Sequence, residues 1–579
     1  MSDVQSLKAK YEAEREKRWA ASTVGKAFTL GAQPTTTSLD RDPWVDYKEL
    51  AKQPPVLIDQ SKIKFLILGA GGSGILFAYH LISRGFSSSD IVLVDDAGGF
   101  GGTWYWNRYP GLTCDVEGYS YLPLLEETGF VPKERYASGE DIRHNDNAEK
   151  HWKVKLHRNL GPDHPELNGP FVVSAQFLLP CGGVLSSPNA PDLPGLPALL
   201  ENRKVFHTSR WDYDYTGGSP AQPDMVNLRD KAVGIVGTGA TAVQVVPQLA
   251  KWAKHVYVFQ RTPSFCGPRE QVLTTPEEWA QITKRPGWQY ERMRNLAGYL
   301  NDDPDLTEDD DIVKDGWSGR RSFAGAVGSP RAKTLSRDQV EGNVERMLRE
   351  DGDRCAKLHQ HIDEVVKNPS VAERLKPWYP GWCKRPTFNQ DYPQSFNKPN
   401  VSLVDTDGQG VQSYTKSGVK ASVGGTVRDY EVDLLVLATG FEVSGTTSPA
   451  TALGSPIAGR NGLDMTEKWD SGDFGTLYGV ATHGFPNLFF YSSKAARGLA
   501  NTTFPVYLAA KLAASVIKRA FKEASTKAIQ VEVSKDAERQ YTQERLKTGH
   551  CAESYNINLA IGFGNETEDS SYVKVTSKS

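Results

Sequence analysis

The chain has 579 residues, of which 39% are apolar, enough to fill the cores of about two to four domains. Because 67 Lys and Arg residues are balanced by 70 Asp and Glu residues, the formal charge is −3, and neither nucleic acid nor an anionic membrane is expected as a partner. The charged N-terminus, the lack of a long apolar run and six cysteines without C-x-x-C spacing favour a soluble, cytoplasmic protein with no metal site.

Residues 1–60 are predicted to form an extension ahead of the first domain. They begin with a charged helical pattern at about 7–19 and continue through a segment rich in Ser, Thr, Pro and Asp. We expect this extension to lie over the core as a helix and a linker.

The next segment reads as strand, tight turn, helix and strand. Its elements are a strand at 65–68, Gly69, Gly71 and Gly74, a helix over 75–82, and a strand at 91–94 that ends at Asp95. Such glycines turn the chain and admit a pyrophosphate to the N-terminus of the helix. An acid 21 residues after the last glycine can accept a hydrogen bond from a ribose hydroxyl. The segment therefore predicts a dinucleotide site.

Two loop motifs follow this first fingerprint. Three aromatic residues and an arginine occur in GGTWYWNRYPG at 101–111, which is too rich in glycine for a regular element, and CDVE follows at 114–117. Further along, strands are expected at 171–173 and 177–179, ahead of a turn-rich stretch.

A second fingerprint begins near residue 232. Its elements are a strand from Ala232, then Gly237, Gly239 and Ala242, a helix through Leu249, and a strand at 256–259 that ends in Gln-Arg-Thr. Arg261 lies 19 residues after Ala242, at a position where a carboxylate would repel a 2′-phosphate but a guanidinium matches its oxygens. With Thr262 beside it, Arg261 predicts NADPH rather than NADH as the second nucleotide.

Three later features complete the pattern. Residues 271–365 form a polar stretch with helical spacing, whose acidic clusters indicate a solvated face rather than a metal site. Lys384 and Arg385 are adjacent cations in a proline-bounded segment, so their side chains point in different directions and can serve two sites. An apolar strand at 434–438 ends at Thr439-Gly440, where glycine lets the backbone approach a cofactor.

From about residue 61 to 560, these motifs resemble, in the same order, those of fungal-type Baeyer-Villiger monooxygenases. The resemblance includes both fingerprints, GGTWYWNRYPG, K-R-P, A-T-G and a helical insertion with the order ERM, DGW, CKRP. It implies FAD at the first fingerprint and NADPH at the second. His207 and Trp211 match the histidine and tryptophan of the family's linker fingerprint, although Glu201 and Arg203 replace its Phe and Gly.

The resemblance also implies roles for individual residues. Gly102, Thr103 and Trp104 are expected to bind FAD, and Lys384 is expected to reach the 2′-phosphate of NADP. Asp115 is expected beside the flavin ring, and Arg385 over it, as a catalytic pair. His207 is expected to act through domain placement and not through proton transfer. In the loop KAARGLAN, Lys494 and Arg497 stand where relatives have a Gly-Pro turn, a departure that bears on the range of substrates.

The predicted fold is α/β, with two Rossmann-like dinucleotide-binding domains, one for FAD and one for NADPH, and a helical insertion. Its predicted parts are the extension 1–60, the first part of the FAD domain 61–203, the NADPH domain 204–383 with the insertion at about 271–365, and the second part of the FAD domain with the tail, 384–579. The A-T-G strand is assigned to the returning flavin domain.

The implied reaction uses NADPH, FAD and O2 to convert a ketone into an ester or lactone through a flavin peroxide. One alternative is a heteroatom oxygenase that acts on sulfur or nitrogen with the same oxidant. The other is a non-catalytic relative that binds nucleotides as an assembly partner, against which the intact glycines, Arg261, Lys384 and Arg385 argue.

Overall fold

The computed structural model describes residues 13, 27–29, 39, 41–138, 151–158, 168–183, 185, 187–319, 321–324, 330–331, 335–379, 384–441, 448–492, 501–524 and 529–547. Apart from position 13, the helix predicted at 7–19 lies outside the described residues, as do Lys494 and Arg497.

The strands are β1 (Ala27–Thr29), β2 (Lys62–Leu68), β3 (Ile91–Val94), β4 (His151–Arg158), β5 (Gly169–Pro180), β6 (Asn189–Pro191), β7 (Lys204–His207), β8 (Ala232–Val236), β9 (His255–Gln260), β10 (Cys266–Gly267), β11 (Thr387–Phe388), β12 (Val401–Asp405), β13 (Val411–Thr415), β14 (Gly418–Val423), β15 (Thr426–Glu431) and β16 (Leu434–Leu437). The α-helices are α1 (Tyr47–Lys52), α2 (Gly72–Ser83), α3 (Thr103–Trp106), α4 (Gly118–Tyr121), α5 (Leu125–Thr128), α6 (Leu196–Asn202), α7 (Tyr213–Thr216), α8 (Ala242–Trp252), α9 (Pro276–Ile282), α10 (Trp288–Leu300), α11 (Val340–Val365), α12 (Pro369–Leu375), α13 (Asp391–Ser395), α14 (Pro449–Ala452), α15 (Met465–Asp470), α16 (Thr503–Glu523) and α17 (Lys535–Lys547).

The first fingerprint belongs to a four-stranded sheet of order β3–β2–β5–β4. Strand β2 pairs in parallel with β3 and β5, and β4 lies antiparallel to β5 at the edge. On one face, Phe65 and Ile67 pack with residues of α2 and α16, and on the other, Leu66 packs with Met465 and Trp469. Burial on both faces explains why β2 is an almost continuous apolar run.

The second fingerprint belongs to a five-stranded parallel sheet of order β12–β9–β8–β16–β7. Helix α8 covers it with Val245, Val246 and Leu249, all fully buried. The antiparallel sheet β13–β14–β15 lies between β12 and β16 in the chain, and its strand β13 packs against α6. The two sheets, with the helices around them, confirm the predicted α/β class with two Rossmann-like units.

Strand β16 corrects the predicted boundary at residue 384. The sequence assigns the A-T-G strand to the returning flavin domain, but β16 pairs in parallel with β7 and β8, and β12 pairs with β9. Both strands therefore belong to the second sheet, and the return to the first unit comes later in the chain. A fully buried apolar strand does not indicate which of two parallel sheets it joins, because both sheets bury their strands on two faces.

The chain returns to the first unit through residues 448–524. Leu488 bridges to Leu178 of β5, and α16 packs along α2 through small residues such as Ala510 and Ala514. The insertion contains the separate helices α9, α10 and α11, and α10 contacts α4 just beyond the CDVE loop. None of the described helices combines the length and the apolar character needed to cross a membrane.

Candidate functional site

The first glycine turn joins β2 to α2. Gly69 has φ +118°, and a Cβ on Gly74 would stand 2.0 Å from the Gly69 carbonyl oxygen, so only glycine permits this packing of helix on strand. Gly71 caps α2 without a side-chain hydrogen bond, and nothing lies within 4 Å of the position a Cβ would take on Gly72. The turn therefore offers uncapped N–H groups and open space, which fit a pyrophosphate.

Gly102 of the GGTW motif lies directly on this turn. A Cβ on Gly102, whose φ is +54°, would stand 2.8 Å from the Cα of Gly71, and a Cβ on Gly71 would stand 3.3 Å from the Cα of Gly102. The Gly101 N–H donates to the Ala70 carbonyl at 3.0 Å. Gly102 therefore constrains position 71 by close contact, which was not evident from the sequence. Thr103 and Trp104 begin α3 beside this contact.

Asp95 closes the side of the turn. Its carboxylate accepts hydrogen bonds from the N–H groups of Ala70 at 2.5 Å and Ala97 at 2.9 Å. Burial, with a further contribution from Asp96, raises the pKa of Asp95 to about 6. The carboxylate of Asp42, in the N-terminal extension, accepts a hydrogen bond from the Tyr105 hydroxyl at 2.8 Å. Tyr105 lies in the segment between Asp95 and the CDVE loop. No motif marks Asp42 as part of this region.

The second turn repeats the arrangement between β8 and α8. Gly237 has φ +109°, and a Cβ there would stand 2.4 Å from the Ala438 carbonyl oxygen, whereas a Cβ on Gly239 would meet nothing within 4 Å. Ala242 begins α8, which has no capping side chain. Arg261 is exposed directly after β9, and the buried Thr262 hydroxyl has no hydrogen-bond partner among the described residues. These groups fit a phosphate-bearing ligand.

The adjacent cations of K-R-P diverge, as the sequence predicts. The Lys384 ammonium lies 5.7 Å from the ring centroid of Tyr379, whose hydroxyl donates to the Pro263 carbonyl at 2.7 Å. Lys384 therefore lies beside Tyr379, which is hydrogen-bonded to the chain two residues after Arg261. Arg385 instead turns to the CDVE loop of the first unit.

Arg385 and Asp115, 270 residues apart, form a bidentate ion pair. One guanidinium nitrogen, Nη2, donates to Oδ1 of Asp115 at 2.8 Å, and Nη1 donates to Oδ2. The surrounding protein disfavours the charged guanidinium, but the attraction of Asp115 outweighs this and raises the pKa of Arg385. The Arg385 side chain is 48% exposed and that of Asp115 is 16% exposed, so the cation remains accessible beside a more buried carboxylate.

His207 and Trp211 are fully buried, and both form hydrogen bonds within the fold. Ser209 N–H donates to Nδ1 of His207 at 3.2 Å, which leaves Nε2, 3.1 Å from the Gly440 carbonyl oxygen, as the donor to it. Burial, followed by nearby Arg210, lowers the pKa of His207 to about 3, so the ring is neutral. The Trp211 indole N–H donates to the Thr216 hydroxyl at 3.2 Å.

Thr439 and Gly440 hold the end of β16 against the link between the two units. The Thr439 hydroxyl donates to the Asn189 carbonyl, and the Asn189 N–H donates to the Gly440 carbonyl at 2.9 Å. Gly440 has φ +77°, and a Cβ there would meet nothing within 4 Å. Gly440 therefore has open space beside it, and the approach of a cofactor there stays a prediction.

The insertion supplies a site residue that the motifs did not assign. The Trp317 indole N–H donates to the Asp115 backbone carbonyl at 2.8 Å, and its ring centroid lies 5.0 Å from the Arg385 guanidinium carbon. Its only sequence signal was the DGW element of the insertion.

Comparisons with known proteins agree with this geometry. A family model described as an NAD(P)-binding Rossmann-like domain matches residues 67–126. The chain is 41% identical to the polycyclic ketone monooxygenase of Thermothelomyces thermophilus, over 93% of this chain and 86% of that protein. It is 40% identical to the FAD-binding monooxygenase ausB of Penicillium brasilianum, over 95% of this chain and 90% of that protein.

Solved structures show the same relationship. The polycyclic ketone monooxygenase from Thermothelomyces thermophila superposes with a TM-score of 0.88 at 39% identity, covering 97% of this chain and 93% of that one. OTEMO in complex with FAD and NADP superposes with a TM-score of 0.59 at 25% identity, covering 84% of this chain and 89% of that one.

Proposed function

Because this chain belongs to the flavin-dependent Baeyer-Villiger monooxygenases, we propose that Arg385 and Asp115 are its catalytic pair and that its substrate is a ketone with several fused rings. The chain is an FAD- and NADPH-dependent monooxygenase. It inserts one atom of O2 next to a ketone carbonyl to give an ester or lactone. NADPH provides two electrons, and the second oxygen atom leaves as water.

We assign FAD to the turn at Gly69, Gly71 and Gly74, and NADPH to the turn at Gly237 and Gly239. When bound, FAD supplies the oxygen-activating chemistry and NADPH supplies the hydride. Asp95 would receive the ribose of FAD, and Gly102, Thr103 and Trp104 would line its path towards Asp115. Arg261, Thr262 and Lys384 would hold the 2′-phosphate of NADPH, for which guanidinium and ammonium donors are suited.

The ion pair of Arg385 with Asp115 is the observation that carries the catalytic assignment. It joins the CDVE loop of the first unit to the K-R-P segment, and β11, which follows that segment, pairs with β10 beyond the second fingerprint. We infer that the two proposed nucleotide sites meet here. Attack on a ketone carbonyl moves negative charge onto the carbonyl oxygen. A guanidinium fixed beside that oxygen stabilises the charge as it develops.

Asp115 has a supporting role in this proposal. Its two oxygens accept from Nη1 and Nη2 of Arg385, which sets the plane and position of the guanidinium. Arg385 presents further N–H donors that can face the reacting group.

The proposed substrate class follows from the similarity to a polycyclic ketone monooxygenase over 93% of the chain. The test is to supply purified protein with NADPH, labelled dioxygen and three substrates: a fused-ring ketone, a one-ring ketone and a thioether. We expect fast NADPH oxidation with the fused-ring ketone and one labelled oxygen in its ester or lactone. Preference for the one-ring ketone would refute the substrate class, and sulfoxide as the main product would favour the heteroatom oxygenase.

A further inference from the structure

The D-G-W turn of the insertion, Asp315–Gly316–Trp317, forms hydrogen bonds with the CDVE loop at two points. The Trp317 indole N–H donates to the Asp115 carbonyl oxygen at 2.8 Å. The Glu117 N–H donates to Oδ2 of Asp315 at 3.2 Å. The other oxygen of Asp315 accepts from the N–H groups of Trp317 at 2.8 Å and Ser318 at 2.9 Å, which shapes the turn. The two ends of a three-residue turn are thus fixed to positions 115 and 117.

The position of the Trp317 ring is itself strongly constrained. The side chain is 1% exposed, and its ring packs edge-on against Phe388, with 5.5 Å between centroids. Gly316 allows this packing, because a Cβ there would stand 2.4 Å from the Phe388 ring. Phe388 follows Arg385 by three residues, so the same ring contacts the segment that carries the guanidinium.

Trp317 also contacts the guanidinium directly. The Arg385 guanidinium carbon lies 5.0 Å from the ring centroid of Trp317, within the range of a cation–π contact. One side chain therefore touches both partners of the ion pair: the backbone of Asp115 through its N–H, and the cation of Arg385 through its ring.

The far end of the CDVE loop is fixed to the same insertion. Glu117 is fully buried, and its two carboxylate oxygens accept from Nε and Nη2 of Arg292 in α10, both at 2.6 Å. Arg135 approaches the same carboxylate at 3.6 Å. Burial, followed by the charge of Glu117, raises the pKa of Asp315 to about 6.

We propose that Trp317, held by the D-G-W turn, is a positioning residue that sets the geometry of the Asp115–Arg385 ion pair. This inference rests on the proposed function, which makes that ion pair catalytic. The helical insertion then has a task at the reacting centre in addition to its packing. Loss of the indole N–H leaves Asp115 free to shift, and the guanidinium shifts with it.

The test compares Trp317→Phe with Trp279→Phe, in FAD-loaded protein. Trp317→Phe removes the N–H donor but keeps an aromatic ring near Arg385. Trp279 lies in α9 of the same insertion, where its ring packs on Tyr119 and Trp288, so Trp279→Phe is the matched control. The readout is product formed per NADPH oxidised, which a loss of stability alone does not change. We expect this ratio to fall about two- to tenfold in Trp317→Phe, the effect of one lost hydrogen bond, and to keep its wild-type value in Trp279→Phe.

Arg385→Lys provides the second half of the test. Lysine keeps the charge but lacks the planar fork that Trp317 positions. Adding Trp317→Phe to Arg385→Lys should therefore change the ratio less than it does in the wild type. An equal effect in both backgrounds, or a wild-type ratio in Trp317→Phe, overturns the positioning role.

The outcomes separate the two proposals. If Arg385→Ala keeps the wild-type ratio, the catalytic assignment of Arg385 is wrong. If Arg385→Lys lowers the ratio but Trp317→Phe does not, only the role of Trp317 is wrong. Should Trp317→Phe lose FAD, Asp315→Asn replaces it: one acceptor oxygen then remains for donors on two sides, so either the Glu117 contact or the turn that holds Trp317 is lost. A wild-type ratio in that variant refutes the positioning role.

Discussion

Replacing Arg385 by alanine should separate the oxidation of NADPH from the formation of ester or lactone. The variant should bind FAD and still oxidise NADPH, because the residues assigned to nucleotide binding are unchanged and the neighbouring Lys384 points away from Arg385, towards Tyr379. Product formation should fall, and the oxygen consumed should appear as hydrogen peroxide. The physical reason is that the charge developing on the ketone oxygen has lost its fixed cation.

The structure sets the size of the effect. The Arg385 side chain is 48% exposed, so solvent weakens its field and the effective dielectric constant lies between that of a protein surface and that of water. Two unit charges about 4 Å apart then interact by roughly 1–4 kcal/mol. That range corresponds to a fall in the rate of product formation of about five- to a thousandfold.

The assay measures NADPH oxidised, ester or lactone formed and hydrogen peroxide released in the same reaction. The matched control is Arg460→Ala. Arg460 forms a bidentate pair with Glu532, in which Nε donates to Oε1 at 3.2 Å and Nη2 donates to Oε2 at 2.6 Å. The exposed fractions of these two side chains, 50% and 17%, nearly equal the 48% and 16% of Arg385 and Asp115. The Arg460→Ala variant removes a comparable ion pair far along the chain from the proposed site. It should therefore leave the product formed per NADPH oxidised unchanged.

Two results would refute the reasoning. A ratio of product to NADPH in Arg385→Ala equal to that of the wild type would show that another group stabilises the charge. An equal fall in Arg460→Ala would show that the ratio reports general loss of structure. Arg385→Lys should recover part of the ratio, since the ammonium restores the charge without the bidentate geometry.

Three further predictions concern the nucleotide sites and the link between them. Arg261→Ala should raise the KM for NADPH by about ten- to a hundredfold and leave that for NADH nearly unchanged, since one charge-assisted hydrogen bond is lost; equal losses would contradict the phosphate assignment. Gly71→Val should purify without FAD and unfold at a lower temperature, because its side chain would meet both the ligand and Gly102, 3.3 Å from the Cβ position; a fully yellow, equally stable variant would contradict it. Burial lowers the pKa of His207 to about 3 in the folded state, so its ionisation should not affect the free energy of unfolding above neutral pH. As the pH falls below about 6.5, the pKa of histidine in the unfolded chain, the free energy of unfolding should decrease by roughly 1.4 kcal/mol per pH unit. Unfolding measured against pH should lose this slope in His207→Gln and keep it when the exposed His157 is changed to Gln.

The position of the N-terminal extension shows how a tertiary contact escapes sequence analysis. The segment before the first sheet strand has no motif, and its residues were expected to form only a charged helix and a linker. Asp42 nevertheless lies buried, 6% exposed, and accepts a hydrogen bond from Tyr105 beside the GGTW motif. A single Asp in a polar linker gives no local signal of its partner, because the partner is 63 residues further along the chain.

Local patterns predicted the two strand–turn–helix units, their glycine turns and the cation after β9. Each depends on residues a few positions apart, where periodicity and turn chemistry restrict the backbone directly. Packing over long distances in the chain places β16 in the second sheet and brings Trp317 to Asp115, 202 residues away. The reason is physical. Buried strands and indole rings look alike in any core, and their partners are chosen by how whole segments pack, which no local pattern encodes.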